Sequence, residues 1–283
     1  MAPVLAVQAI TGKDGKLELL SETTVRLATM LGTEAWDRDE ASRLIAYDAE
    51  LSAKIRRAAS DGASCTLGSA DAAVSRLGQG KVVALAVAHS LRQPYSKAIQ
   101  TLGLAESQLW RHAVAAASAV ERMRSHLAQP IPHECLAAAL LHDLGYLVFA
   151  QTLPADVQAL LAEASKQGWT NSRLAESELA GTDHAAVGGA IAGHWGLPPV
   201  FVDAIAYHHA PNQIPTARFA HVAHVVNIAD MVAATIGESL GNREQGPIDE
   251  AGSMMKLALS GEQFSSVCQE VHDDLEDVLY WYS

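Results

Sequence analysis

Cys135-Leu-Ala-Ala-Ala-Leu-Leu-His-Asp-Leu-Gly-Tyr-Leu-Val-Phe-Ala-Gln-Thr-Leu153 is the longest apolar run in the chain, and its one formal charge is Asp143. Leu140, Leu141, Leu144 and Leu147 fall at helical neighbour spacings around His142 and Asp143, so the doublet is expected on a largely buried helix. A buried carboxylate is costly unless an opposite charge or a cation meets it. Two readings follow. In one, the neutral imidazole and the ionised carboxylate bind a divalent ion together. In the other, His142 caps or packs, and Asp143 pairs with Arg111 or Arg122. A polar pair at its centre also makes the run a core element instead of a membrane span.

The surrounding composition agrees with a helical core. Of 283 residues, 49% are apolar, 18% charged and only 5% aromatic, which excludes disordered, collagenous and coiled-coil chains. Abundant Ala and Leu favour close-packed helices over a β-sandwich. Capping residues at Ser21 and Asp37 and stripes such as Leu51 and Ile55 predict short N-terminal helices. Ser69–Leu77 is expected to stop at Gly78 and Gly80, followed by a buried helix over Lys81–Leu91, with Pro94 as punctuation.

Longer helices are expected at Glu106–Leu127, Pro132–Thr152, Pro154–Gln167, Asn171–Glu178, His184–Trp195, Pro198–His208, Thr216–Ile236 and Glu262–Tyr282. Turns are expected at Asp61-Gly62 and Leu67-Gly68, and a polar loop at Gly241–Pro247. No stretch alternates as a strand would, so the expected class is all-α. The expected layout is an N-terminal arm (1–20), a helical domain (21–235, divided at 97/98) and a C-terminal helical extension (236–283).

A net charge of −12 repels phosphates and excludes a non-specific nucleic-acid or anionic-membrane binder. Cys65, Cys135 and Cys268 lie too far apart for a CxxC site, and residues 1–20 lack a signal-peptide pattern, so a soluble cytoplasmic protein with reduced thiols is expected.

Twelve histidines are unusual for this length, and ten fall between His112 and His224. His112 precedes an alanine-rich helical run, and His184 follows the capping pair Thr182-Asp183. His208-His209 ends a helix, and Asp230 sits inside the apolar run Val225–Val232. Each is a candidate ligand on an apolar helix.

Together His112, His142-Asp143 and Asp230 resemble the H…HD…D pattern of the HD superfamily of metal-dependent phosphohydrolases. The closer resemblance is to its HDOD branch of bacterial signalling modules. It is carried by Asp48-Ala-Glu-Leu-Ser-Ala-Lys-Ile, Ala72-Ala-Val-Ser-Arg-Leu-Gly, Leu109-Trp-Arg-His, Ala138-Ala-Leu-Leu-His-Asp-Leu-Gly, Gly181-Thr-Asp-His-Ala-Ala-Val-Gly, Trp195-Gly-Leu-Pro and Ala206-Tyr-His-His, across roughly residues 20–235.

The resemblance implies an all-helical fold and a mono- or dinuclear divalent-metal site. His112, His142, Asp143 and Asp230 would surround one ion, and Asp143 would bridge to a second held by His184, His208 and His209. Fe, Mn, Ni, Zn and Mg are not distinguished by such a set.

The substrate-handling groups depart from the catalytic pattern. Tyr146 stands where HD-x-G-K enzymes carry lysine, and Gln108 where HD-GYP phosphodiesterases carry a ligating glutamate. The GYP signature is replaced by Ala210-Pro-Asn-Gln after the double histidine. The implied function is therefore a regulatory module acting through a signalling protein partner. The alternative is a phosphohydrolase acting on a nucleotide or cyclic dinucleotide.

Lesser features have blander expectations. His221 and His224 read as packed or solvated, with ligation as an alternative, and His194 reads as core packing. Gly188, Gly189 and Gly193 read as small residues permitting close helix approach. Lys54, Arg56 and Arg57 read as a solvated helix face, as do the acids Glu270, Asp273, Asp274, Glu276 and Asp277, with partner docking an alternative for the basic set. His133-Glu134-Cys135 lacks the later PCxxC of a zinc deaminase.

Overall fold

Helices begin where the sequence offers a cap. In the computed structural model, Ser21 Oγ accepts the Thr24 N–H to start α1 (Glu22–Gly32), and Asp37 accepts from Asp39 and Glu40 to start α2 (Arg38–Ala46). Asp48 likewise accepts the Leu51 N–H near the start of α3 (Ala49–Ser60). The structure describes residues 19–60, 69–97, 99, 102–166, 172–240 and 252–282. Most of the N-terminal arm, the turns around Cys65 and the Gly241–Pro247 loop lie outside the described residues.

The remaining helices are α4 (Ala70–Ser96), α5 (Gln108–Met123), α6 (Cys135–Leu141), α7 (Gly145–Thr152), α8 (Ala155–Lys166), α9 (Ser172–Ala180), α10 (His184–His194), α11 (Pro199–Ala206), α12 (Ala220–Thr235), α13 (Ser253–Leu257) and α14 (Gly261–Tyr282). Among the described residues there is no sheet, only an isolated bridge between Ile99 and Leu104. The fold is all-α.

Three expected boundaries move for local reasons. Gly78 breaks α4 with φ 77°, ψ 163°, but Gly80 lies inside the second, buried segment, and Pro94 sits within its last turns. The expected helix over Pro132–Thr152 is two helices, because α6 ends at Leu141 and α7 starts at Gly145. His142 Nδ1–H donates to the Ala139 carbonyl at 2.7 Å, the acceptor that an uninterrupted helix would offer to the Asp143 N–H. The His-Asp doublet thus occupies a buried helix break. Similarly α11 stops at Ala206, and His208 and His209 occupy the turn beyond it, where His208 Nδ1–H donates to Ile205 O at 2.7 Å. Short α13 was not expected at all.

Helix α5 is the axle of the site-bearing half. It packs on α6, α12 and α14, and buries an almost unbroken face from Leu109 to Met123. Cys135–Thr152 has a mean hydropathy of 1.3, enough by length and composition to cross a bilayer, but 83% of it is buried inside the fold.

Glycines decide how closely two pairs of helices approach. A Cβ at Gly145 would lie 2.7 Å from the His184 carbonyl carbon and 2.9 Å from its Cα, so α7 and α10 meet there only without a side chain. Gly189 does the same against Ala206 on α11, at 2.6 Å from its Cβ. The close-approach reading holds for Gly188 and Gly189, whereas Gly193 meets nothing nearer than 3.8 Å.

The acidic C-terminal helix is not simply a solvated face. Arg111 forks onto Glu238 at 2.7–3.1 Å and reaches Glu276 at 2.9 Å; Arg122 pairs with Asp274, and His126 meets Glu270 at 2.9 Å. Three basic groups along α5 and just past its end therefore hold three acids on α14. His194, expected in the core, is exposed, in the last turn of α10.

Candidate metal centre

The helix break at 142–144 places Asp143 at the centre of a ring of imidazoles. Asp143 Oδ2 lies 3.1 Å from His112 Nε2 and 3.2 Å from His142 Nε2. Its other oxygen, Oδ1, lies 3.2 Å from His184 Nε2 and 3.7 Å from His208 Nε2. Asp230 closes the ring, with Oδ1 3.4 Å from His112 Nε2 and Oδ2 3.6 Å from His209 Nδ1. All seven residues singled out in the sequence converge, drawn from α5, α10, α12 and the turns after α6 and α11. His112, His142, Asp143, His184, His208 and Asp230 are each at most 4% exposed.

Hydrogen-bond chemistry fixes which ring nitrogens face inward. Backbone carbonyls only accept, so the Nδ1 atoms of His112 (to Glu238 O, 2.6 Å), His142 and His208 (to Ile205 O) must carry the protons. Their Nε2 atoms then point at Asp143, each able to give the carboxylate a proton or a cation a lone pair. His112 Nε2 and His142 Nε2 stand 3.1 Å apart, as do His184 Nε2 and His209 Nε2. His208 Nε2 is buried with no hydrogen-bond partner among the described residues. Bare acceptors facing one another around a carboxylate repel unless a proton or a cation lies between them.

The titration behaviour follows from this crowding. Burial alone would drive His112 down, but hydrogen bonds to Asp143 and Asp230 lift it to about 10. His184 is likewise lowered by burial yet lifted to about 10, chiefly by Glu176 and Asp143. Burial, then the neighbouring His142, pushes His208 down to about 3, leaving it a neutral donor. Burial would raise Asp143, but His142 and the hydrogen bonds from surrounding imidazoles hold it well below the usual carboxylate range.

Among the described residues no guanidinium meets Asp143. Arg111 is taken by Glu238 and Glu276, and Arg122 by Asp274, so the expected arginine pairing is not made. The donor set fits a divalent-metal pair: ligand atoms of His112, His142 and Asp230, and of His184, His208 and His209, each lie within 4.8 Å of one another. Asp143 offers one oxygen to each set. Imidazole and carboxylate are ordinary ligands for Fe, Mn, Ni and Zn.

His221 and His224 stay outside this ring. His224 Nδ1 is 2.8 Å from Ser253 Oγ on α13, so the packed reading holds for it, and His221 is half-buried on the preceding turn of α12.

Two neighbours were not singled out. Glu176 on α9, 3% exposed, accepts the His184 backbone N–H at 2.8 Å and its Nδ1–H at 2.7 Å, both on Oε2. Nothing in the sequence marks it, since an acid eight residues before a histidine has no local meaning. Tyr95 is fully buried, and burial together with the Asp143 charge raises its phenol well above the ordinary value. The tyrosine in place of the HD-x-G-K lysine, Tyr146, stacks flat on His184 with centroids 4.4 Å apart and planes at 16°. Gln108 accepts the Ala105 N–H at 2.9 Å and donates to Ser239 O at 2.8 Å, so its amide ties two loops together.

A family model for the HDOD domain matches residues 17–211. The chain belongs to the HDOD family. Asp230, on α12, lies past the end of that match. Among solved structures, an HDOD domain protein of unknown function from Geobacter sulfurreducens aligns at TM-score 0.72 and 21% identity, over 99% of this chain and 97% of its own. A candidate signal transduction protein from Marinobacter aquaeolei VT8 aligns at 0.76 and 20% identity, over 99% of this chain and 65% of its own. A candidate phosphohydrolase from Shewanella amazonensis SB2B aligns at 0.69 and 19% identity, over 97% of each chain. At these identities the likeness carries the fold alone. A search of curated proteins gave no match.

Proposed function

We propose that this HDOD chain is a cytoplasmic, non-catalytic signalling module in which a pair of divalent ions sets the conformation presented to a protein partner. The carrying observation is the convergence of the Nε2 atoms of His112, His142, His184 and His208 on the two oxygens of Asp143. In this reading His112, His142, Asp143 and Asp230 hold one ion, and Asp143, His184, His208 and His209 hold the other. Such a pair would supply Lewis acidity and tie together the five helices that carry or end at these ligands.

The non-catalytic part rests on two side chains. Tyr146 lies against His184 and brings no cation for a phosphate, and Gln108 is committed to backbone groups. A route outward exists through Arg111. His112 is anchored on the Glu238 carbonyl, the Glu238 carboxylate is held by Arg111, and Arg111 also reaches Glu276 on α14. Occupancy at His112 is thereby linked to the C-terminal helix, where a partner can read it.

Metal analysis of protein purified without added ions, and again after reconstitution, is expected to give two ions per chain. Assays with p-nitrophenyl phosphate and cyclic di-GMP in Mn2+ or Fe2+ are expected to show no turnover. The second reading, a metal-dependent phosphohydrolase, is favoured by the complete carboxylate-bridged donor set. Turnover abolished by Asp143→Ala establishes it in place of the first, and absence of any stoichiometric metal removes both.

A further inference from the structure

The imidazoles at the centre are not backed alike. His112, His142 and His208 donate Nδ1–H to neutral backbone carbonyls at 2.6–2.7 Å. The Nδ1–H of His184 goes instead to a carboxylate, Glu176 Oε2, at 2.7 Å. The same oxygen takes the His184 backbone N–H at 2.8 Å, at the first residue of α10. Glu176 is 3% exposed, and among the described residues its ion-pair partner is this imidazole. Burying a carboxylate for a single helix start is an expensive way to cap it, because Asp183 already caps α10 by accepting the Ala186 N–H at 2.8 Å. The His184 ring is also pinned on its face by Tyr146, so neither rotation nor tautomer is left free.

We infer that Glu176 is a positioning residue for the ion position formed by His184, His208, His209 and Asp143. It fixes the Nδ1–H tautomer of His184, aims Nε2 at that position, and through its negative charge makes that nitrogen a stronger donor than a carbonyl-backed imidazole. The inference rests on the metal reading above and adds an asymmetry to it. One position depends on a buried carboxylate behind its ligand; the other, around His112, His142 and Asp230, does not.

The test is a Co2+ titration of the full chain, followed by its visible absorption and by calorimetry, with Glu176→Gln as the variant. Glutamine keeps an oxygen that can accept the His184 N–H, and removes the charge. One of two binding events is expected to weaken by about 10–100-fold in the variant, with the other unchanged within twofold. Both events unchanged, or both weakened equally, overturns the inference while leaving the metal reading intact. Wild-type protein that takes up no Co2+ overturns both. A measurement needing no variant is 15N-histidine NMR of the Zn2+-loaded protein. His184 is expected to ligate through Nε2 with an Nδ1–H proton more deshielded than those of His112, His142 and His208; ligation through Nδ1 refutes the assignment.

Discussion

Replacing Gly145 by alanine tests how the helix break is tied to the metal centre. The added Cβ would sit 2.7 Å from the His184 carbonyl carbon and 2.9 Å from its Cα, and closer still to the carbonyl oxygen. Comfortable carbon–carbon separation is about 3.5 Å, so α10 must retreat from α7 by about 0.8 Å or more. Backbone cannot swing aside as a side-chain tip can. The cost is therefore placed at the upper end of ordinary overpacking, about 3 kcal/mol, or roughly 6–12 °C in Tm. The displacement also exceeds the ~0.2 Å tolerance of a metal–ligand distance, and it falls on the residue that carries His184. Gly145→Ala should consequently lose one of two ions while retaining the other, read by Co2+ titration beside thermal melts. Gly193→Ala, on the same α10 with 3.8 Å of room, serves as control. It should be neutral or stabilising by up to about 1 kcal/mol. A Gly145→Ala protein that melts within 2 °C of its parent and binds both ions unchanged would refute the claim that close α7–α10 contact positions His184.

Two further outcomes follow from electrostatics. His112 and His184 are lifted to about 10 in the metal-free protein, so each ion must displace protons, and Mn2+ affinity should climb through pH 7–9 where free imidazole would level off above 6.5. The same upward shifts stabilise the metal-free fold fully below the unfolded value near 6.5 and fade as pH rises toward 10. Its Tm should accordingly fall across pH 7–10 while metal affinity rises; calorimetry in buffers of different ionisation enthalpy, with parallel melts, checks both signs. Arg111→Ala should cost about 1–2 kcal/mol, because it strips a bidentate partner from the largely buried Glu238, whereas Glu276→Gln, at a side chain 79% exposed, should stay within about 0.5 kcal/mol in urea melts.

The helical class was legible from composition and from caps such as Ser21 and Asp37, because capping and i,i+4 patterning act over a few residues. The family was legible in an ordered series of short motifs. The candidate donors His112, His142, Asp143, His184, His208, His209 and Asp230 were legible as polar groups in or at the ends of apolar helices, since burial makes an uncompensated polar residue conspicuous.

Other features had no local signature. Helix Pro132–Thr152 breaks at the doublet because a side chain, His142 Nδ1, competes for a backbone carbonyl, and residue identities do not reveal that choice of rotamer. The acids of α14 read as solvent-facing until Arg111, Arg122 and His126 came against them across more than 140 residues of chain in each of the three cases. Glu176 gained its meaning only when α9 folded against the start of α10. Chain composition and short-range pattern determined which groups are confined to the interior. Tertiary packing alone decided which of them face one another, because that depends on helix approach distances set by single absent methyl groups such as the one at Gly145.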